Sequence, residues 1–160
     1  VLEQYGGVYF DTDVEVLRDI SPLLDDEGFI GFENDQYVAS GLTIAVEAHH
    51  PVIQAMIEEY KKLHFTNADG SLNAVGCPHL NTDVMERFGL VRNGREQMVA
   101  GIHVYPADYF NPLDSVTGKL TKTENTYSIH WYSMSWLPKH KQIKAKFGRL
   151  WRRITKKVKS

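Results

Sequence analysis

The chain has 160 residues, 42% of them hydrophobic, with one cysteine and a formal net charge of −2. This is about one domain with enough apolar material for a core; the lone Cys77 excludes an internal disulfide framework and is compatible with a reducing compartment. No apolar run approaches the roughly 18 residues of a membrane span, and no stretch has the form of a signal peptide.

The small net charge hides a strong asymmetry. Residues 139–160 carry ten Lys or Arg and no Asp or Glu, whereas the first 138 carry eight bases against all twenty acids. The chain therefore divides into a unit over residues 1–137 and a basic tail over 138–160. It opens in mid-pattern at Val1 rather than at a Met, which leads us to expect a truncated amino end.

In chain order, residues 8–10 and 14–16 read as short extended pieces on either side of Asp11-Thr12-Asp13. On a strand, carboxylates at i and i+2 point to the same side, so the pair is expected to project together where the strand gives out. Hard divalent cations take such oxygen ligands and keep positions open for water and phosphates. Gly6 and Gly7 just before the strand would let a nucleotide or a neighbouring segment approach closely.

Ser21-Pro22 reads as the cap and first-turn proline of a short helix through Leu24. Residues 29–33 and 42–46 read as strands, separated by the polar Asn34-Asp35-Gln36. Pro51 opens a helix whose Val52, Ile53, Met56, Ile57, Tyr60 and Leu63 recur at helical spacing and form a core face. Asn81-Thr82-Asp83 caps a second helix to about Phe88, with Gly89 as its stop. Residues 102–105 form another strand. Alternating strands and helices predict an α/β domain, whose binding sites lie beyond the carboxyl ends of strands.

In the tail, Ile143, Phe147, Leu150, Trp151, Ile154 and Val158 recur at steps of three or four among Lys and Arg, giving a basic amphipathic helix. Such a helix lies on an anionic membrane surface through Lys144, Phe147, Arg149, Trp151, Arg152 and Arg153, or docks on its own domain. No nucleic-acid recognition motif accompanies the charge, so no nucleic-acid partner is expected.

Several segments together carry a family resemblance: Tyr5-Gly6-Gly7-Val8-Tyr9-Phe10-Asp11-Thr12-Asp13, Gly31-Phe32-Glu33, Tyr109-Phe110 with Pro112, and Asn125 through Trp131 to Ser135-Trp136. In this order they resemble the DXD sugar transferases, the capsular polysaccharide and mannosyl transferase-like enzymes. The resemblance implies a GT-A-like, Rossmann-like mixed sheet flanked by helices, lacking its amino-terminal part. It implies a retaining transfer of a sugar from a UDP- or GDP-sugar donor to a saccharide or lipid-linked acceptor, with Mn²⁺ or Mg²⁺ as cofactor.

By resemblance Asp11 and Asp13 are catalytic and metal residues, and His130 completes the metal site or donates to the diphosphate. Ser135 and Trp136 become phosphate or lid contacts, and Gly6, Gly7 and Tyr9 contact substrate; Asn34 and Asp35, which follow a strand, either reach the sugar or the acceptor or form a polar turn. Cys77-Pro78-His79 falls where relatives carry a Gly-Pro-type loop before a Thr, here Thr82. The expected location is cytoplasmic, peripheral at the inner membrane face if the tail binds lipid. Two other readings stay open: a phosphohydrolase using Asp11 as nucleophile and Asp13 as acid/base, and a non-catalytic sugar-binding or membrane-associated relic. A calcium loop is disfavoured because Val16 stands where such a loop needs Gly.

Overall fold

The computed structural model describes residues 1–133 except 65, 68, 72 and 74. The basic helix expected over 138–160, with Lys144, Phe147, Arg149, Trp151, Arg152 and Arg153, lies outside the described residues, as do Ser135 and Trp136.

The chain is α/β, with a mixed five-stranded sheet flanked by helices. A one-turn helix α1 (Leu2–Tyr5) leads through Gly6, at φ +65, into β1 (Gly7–Tyr9). Then follow β2 (Val14–Val16), β3 (Gly28–Gly31), β4 (Ile44–Val46), α2 (Pro51–Lys61) and α3 (Cys77–Arg87). The described chain closes with β5 (Gln97–Val99), β6 (Ile102–Tyr105), α4 (Ala107–Phe110) and β7 (Ser128–His130).

The large sheet runs in the order β1-β4-β3-β6-β5, and β2 pairs with β7 in a separate two-stranded ribbon. Only β3 and β6 run parallel; the other pairs are antiparallel. This topology points the carboxyl ends of β1, β3 and β6 toward the same edge. A ligand site built at that edge draws on all three.

Alternation along the strands gives each sheet face its own core. Ile30, Ile44, Val46, Ile102 and Val104 pack under α2 and α3 with Val52, Ile53, Met56, Val84 and Met85. On the other face Phe29, Ala45 and Tyr105 meet Leu23, Leu42 and Phe110, the Phe29 and Phe110 rings stacking at 5.5 Å. Gly31 is glycine for packing, since a Cβ there would sit 2.6 Å from the Phe110 ring.

The strand over 14–16 and the strand over 102–105 fall where the sequence puts them. Other elements need correction. The helical stripe after Pro51 is fully buried only in its first half: Val52, Ile53 and Met56 are covered, but Ile57, Tyr60 and Leu63 keep 36%, 44% and 38% of their surface exposed. Ile57 and Tyr60 lie in the second half of α2, where no residue is buried, and Leu63 lies past its end. The second helix begins at Cys77, not at Asn81. Pro78 occupies its first turn, so Cys77-Pro78-His79 is helix rather than loop. Asn81 and Thr82 are consequently interior and buried. Gly89, at φ +103, does terminate it.

Candidate metal and nucleotide-sugar site

After β1 the chain leaves the large sheet and turns tightly, the Val14 N–H donating to the Asp11 carbonyl at 3.1 Å, before entering β2. Asp11 and Asp13 thus lie on a turn between two sheets, not at the end of one alternating strand. A turn, rather than the pleat, brings their carboxylates to one side.

The partner of β2 is β7, with Val14 opposite His130. This pairing brings the imidazole onto the acids. His130 Nε2 lies 3.1 Å from Asp13 Oδ1 and 3.7 Å from Asp11 Oδ2. The three groups can each aim one ligand atom within 4.8 Å of the others.

Each carboxylate is held on its far side. Tyr9 donates its hydroxyl to Asp11 Oδ1 at 2.8 Å, and both this bond and burial push the Tyr9 phenol up, so it stays a donor. Beyond β7 the Trp131 N–H donates to the Asp13 carbonyl at 3.0 Å. Tyr132 then adopts φ +49, a left-handed backbone that costs a non-glycine residue about 1 kcal/mol. The reversal aims the Ser133 N–H at Asp13 Oδ2, 2.7 Å away. Burial would raise the Asp13 carboxyl, but Ser133 and His130 outweigh it and hold the group below the usual carboxylate range. Asp13 is therefore a standing anion.

The loop after β3 passes close to the Asp11 oxygen that faces His130. The Asp11 N–H donates to the Gly41 carbonyl at 3.2 Å, and a Cβ on Gly41 would lie 2.7 Å from Asp11 Oδ2. That loop is anchored by α3. Thr82 Oγ1 accepts from the Val38 N–H at 3.0 Å while donating to the Pro78 carbonyl. Asn81, its amide oriented by its neighbours, accepts from the Ser40 N–H and hydroxyl. Burial pushes the Cys77 thiol up, so it stays protonated and unreactive here.

The donor set suits a divalent cation. Ligands about 2.1 Å from one ion stand roughly 3 Å apart when adjacent and about 4.2 Å when opposite, and the spacings of His130 to both acids fall in that span. Two carboxylates with one imidazole fit Mn²⁺ better than Mg²⁺, which prefers oxygen alone. His130 Nδ1 is buried without a partner among the described residues, so nothing there holds the ring in the opposite tautomer.

Of the residues expected at the site, the structure brings together Asp11, Asp13, His130 and Tyr9. Gly6 and Gly7 lie at the other end of β1, where a Cβ on Gly6 would run into the backbone of Val46 and Ala48. Close packing requires glycine at Gly6, whereas at Gly7 the space is open and the backbone, at φ +111, is what favours glycine. Asp35 packs against Gly94, and the Asn34 side chain caps its own turn by accepting from the Gln36 and Tyr37 N–H groups. Sequence reasoning assigns no role to Gly41, Tyr132 or Ser133. The only signal for the last two is membership of the aromatic cluster after His130.

Tyr132 extends the site. Its ring meets His130 edge-on at 4.2 Å, and its O–H is shared between Glu33 Oε1 at 3.2 Å and Asn111 Oδ1 at 3.0 Å. Glu33 follows β3 and Asn111 follows α4, so one tyrosine ties the ends of these two elements to His130.

Residues 1–30 match the family model described as a glycosyltransferase sugar-binding region containing a DXD motif. The match ends before β4 and supports the glycosyltransferase family for this chain. An uncharacterized protein of Arabidopsis thaliana is 32% identical over 114 residues. The alignment covers 71% of this chain, which spans only 17% of that protein's length. No solved structure gives a significant match. No helix among the described residues is long and apolar enough to cross a membrane.

Proposed function

We propose that residues 1–137 carry the catalytic site of a metal-dependent glycosyltransferase that takes a sugar from a nucleoside-diphosphate donor. The observation that supports it best is the meeting of Asp11, Asp13 and His130, drawn from opposite ends of the described chain onto one point. Asp13, fixed by Ser133, and Asp11, fixed by Tyr9, would hold Mn²⁺ or Mg²⁺ with His130 as the third ligand. Bound there, the cation would neutralise charge developing on the leaving diphosphate.

The chain's own contribution is pre-organisation. Each carboxylate already faces the common point with its outer oxygen engaged, so little reorientation accompanies binding. The acceptor would be a saccharide or a lipid-linked saccharide in glycan or capsule-type polysaccharide synthesis, with retention of configuration by family resemblance. Ser135 and Trp136 would close over the donor. The basic tail would hold the enzyme on an anionic membrane; sedimentation with anionic vesicles that is equal for the whole chain and one ending at residue 138 would remove that role.

The central test pairs Mn²⁺ titration with release of UDP or GDP from UDP-glucose, UDP-galactose and GDP-mannose. Asp13→Asn should weaken Mn²⁺ binding by about 10–100-fold and abolish nucleotide release. Unchanged Mn²⁺ affinity in Asp13→Asn would sink the proposal. Metal-dependent hydrolysis of p-nitrophenyl phosphate without turnover of nucleotide sugars would instead favour the phosphohydrolase.

A further inference from the structure

At the edge of the sheet opposite the acids, an open groove of about 570 Å³ is bounded by the α1–β1 junction, the end of β4 and the segment leading into β3. Register explains its place: Gly7, Val46 and Gly28 stand abreast on β1, β4 and β3, and β1 is the last strand of the sheet. Val8, paired with Ala45, lies half-buried on the floor, while Tyr5 and Leu24 stand beside it 72% and 48% exposed. Apolar side chains left open around a concave strip gain by being covered.

Charge indicates what covers them. Asp26, Glu27 and Glu47 line the groove, and no Lys or Arg is among the described residues that do. Asp26 meets the His103 imidazole at 3.0 Å and Glu27 lies 3.4 Å from that of His50, whereas the Glu47 carboxylate has no partner among the described residues. The bases of the domain are committed elsewhere: Lys61, Lys62, Arg87 and Arg92 pair with acids on α2 and α3, and Arg18 lies over the Tyr127 ring. A concave surface with an apolar floor and three acids favours a cationic, amphipathic partner.

The chain itself carries that chemistry. Residues 139–160 hold ten Lys or Arg and no acid, and Ile143, Phe147, Leu150, Trp151, Ile154 and Val158 recur at helical steps among them. The span suffices. Ser133 is held at the opposite edge by Asp13, and β1 has three residues, so the two edges are roughly 10 Å apart along it. The five residues 134–138 reach roughly 17 Å when extended.

We propose that residues 139–160 seat in this groove of their own domain, the apolar stripe on Tyr5, Val8 and Leu24 and the bases against Asp26, Glu27 and Glu47. Attachment to an anionic membrane uses the same stripe and the same charges, so one tail occupies one surface at a time. Because the tail is tethered, its effective concentration at the groove is on the order of millimolar, and even a weak contact is populated. The groove is then a store for the tail, which anionic lipid must empty before the domain is held at a membrane. No group of the metal site takes part, so this inference stands apart from the glycosyltransferase reading.

The test uses the whole chain with Cys77→Ser and Ala145→Cys, the latter carrying a nitroxide, and reads the broadening of backbone amide signals. At about 100° per residue position 145 falls opposite the apolar stripe, so the label leaves the contact free. Broadening at Leu24, Glu47 and Ala48 is expected, with residues 83–87 of α3, under the other face of the sheet, affected much less. Leu24→Asn and Glu47→Lys, both at exposed positions, should each cut that broadening by about half or more. Leu24→Asn, which leaves the charge unchanged, should also bind phosphatidylglycerol vesicles about twofold or more tightly than wild type in sedimentation, because its tail is released. No broadening at Leu24, Glu47 and Ala48, or broadening that survives both variants, would overturn the groove. Equal broadening in a mixture of labelled chains and separate isotope-enriched chains would assign the contact to a second copy and overturn the intramolecular seat. Unchanged vesicle affinity in Leu24→Asn would overturn the competition with lipid.

Discussion

Replacing Gly41 by alanine should separate metal affinity from fold stability. The Gly41 backbone lies outside the left-handed region, so alanine adopts it without strain. Its Cβ, however, would lie 2.7 Å from Asp11 Oδ2, whereas ordinary contact begins at 3.4 Å, so something must yield by about 0.7 Å. The part that yields most readily is the carboxylate at the end of a short, partly exposed side chain. Metal sites tolerate errors of about 0.2 Å in ligand position, so Asp11 would be displaced well beyond what a bound ion accepts.

The loss expected is that of a misplaced ligand, about 10–100-fold in Mn²⁺ affinity, read by calorimetric titration. Stability should hold or rise slightly, because Gly→Ala at a compatible position stabilises by about 0.4–1 kcal/mol through the unfolded chain. In a domain of this size that is a melting shift of about 1–4 °C without metal. A variant that binds Mn²⁺ as tightly as wild type would refute the placement of Asp11 in the site. A variant that melts far lower would show that the collision falls on the backbone instead.

Tyr132→Phe should keep the fold and lower stability by about 1–2 kcal/mol in urea denaturation, because Glu33 and Asn111 lose their shared donor in a half-buried place; an unchanged midpoint would show that tie to be idle. Glu59 links α2 to α3 by accepting from Arg87, and also accepts from Lys62; these bonds hold its carboxyl down from 4.5 to about 2. A depressed carboxyl adds stability above its unfolded value and loses it as pH falls through the folded one. Glu59→Gln should therefore melt below wild type at neutral pH, with the gap closing between about pH 4.5 and 2. A gap independent of pH would assign the effect to packing.

How much of this was legible beforehand varies with the physics involved. The strand over 14–16 and the grouping of His130 with the two acids are readable because they rest on local spacing and on a chemically distinctive residue order. The pairing of β2 with β7 is not, since three-residue strands carry almost no periodicity and their register is set by the partner. The helix start at Cys77 is obscured by Asn81-Thr82-Asp83, a good capping sequence in which Asn81 and Thr82 instead bond to the loop over residues 38–40 and Asp83 accepts from Arg92. Exposure of Ile57 and Tyr60 could not be foreseen either: helical spacing shows that a stripe exists but not how much of it the rest of the chain covers. Gly41 gave no local signal, because the reason for its missing side chain stands thirty positions earlier, at Asp11.

Asp13 and Ser133 are 120 positions apart, yet joined by a 2.7 Å hydrogen bond. A cation seated on Asp11, Asp13 and His130 would therefore act as a buckle as well as a reagent, fastening one extremity of the described chain to the other. Because such an ion would bind the folded site and not the unfolded chain, it would add stability by mass action, about 2.7 kcal/mol at a free concentration 100 times its Kd. Chelators would then do more than silence turnover: they would unlatch the terminal ribbon and leave the whole molecule more open to proteases.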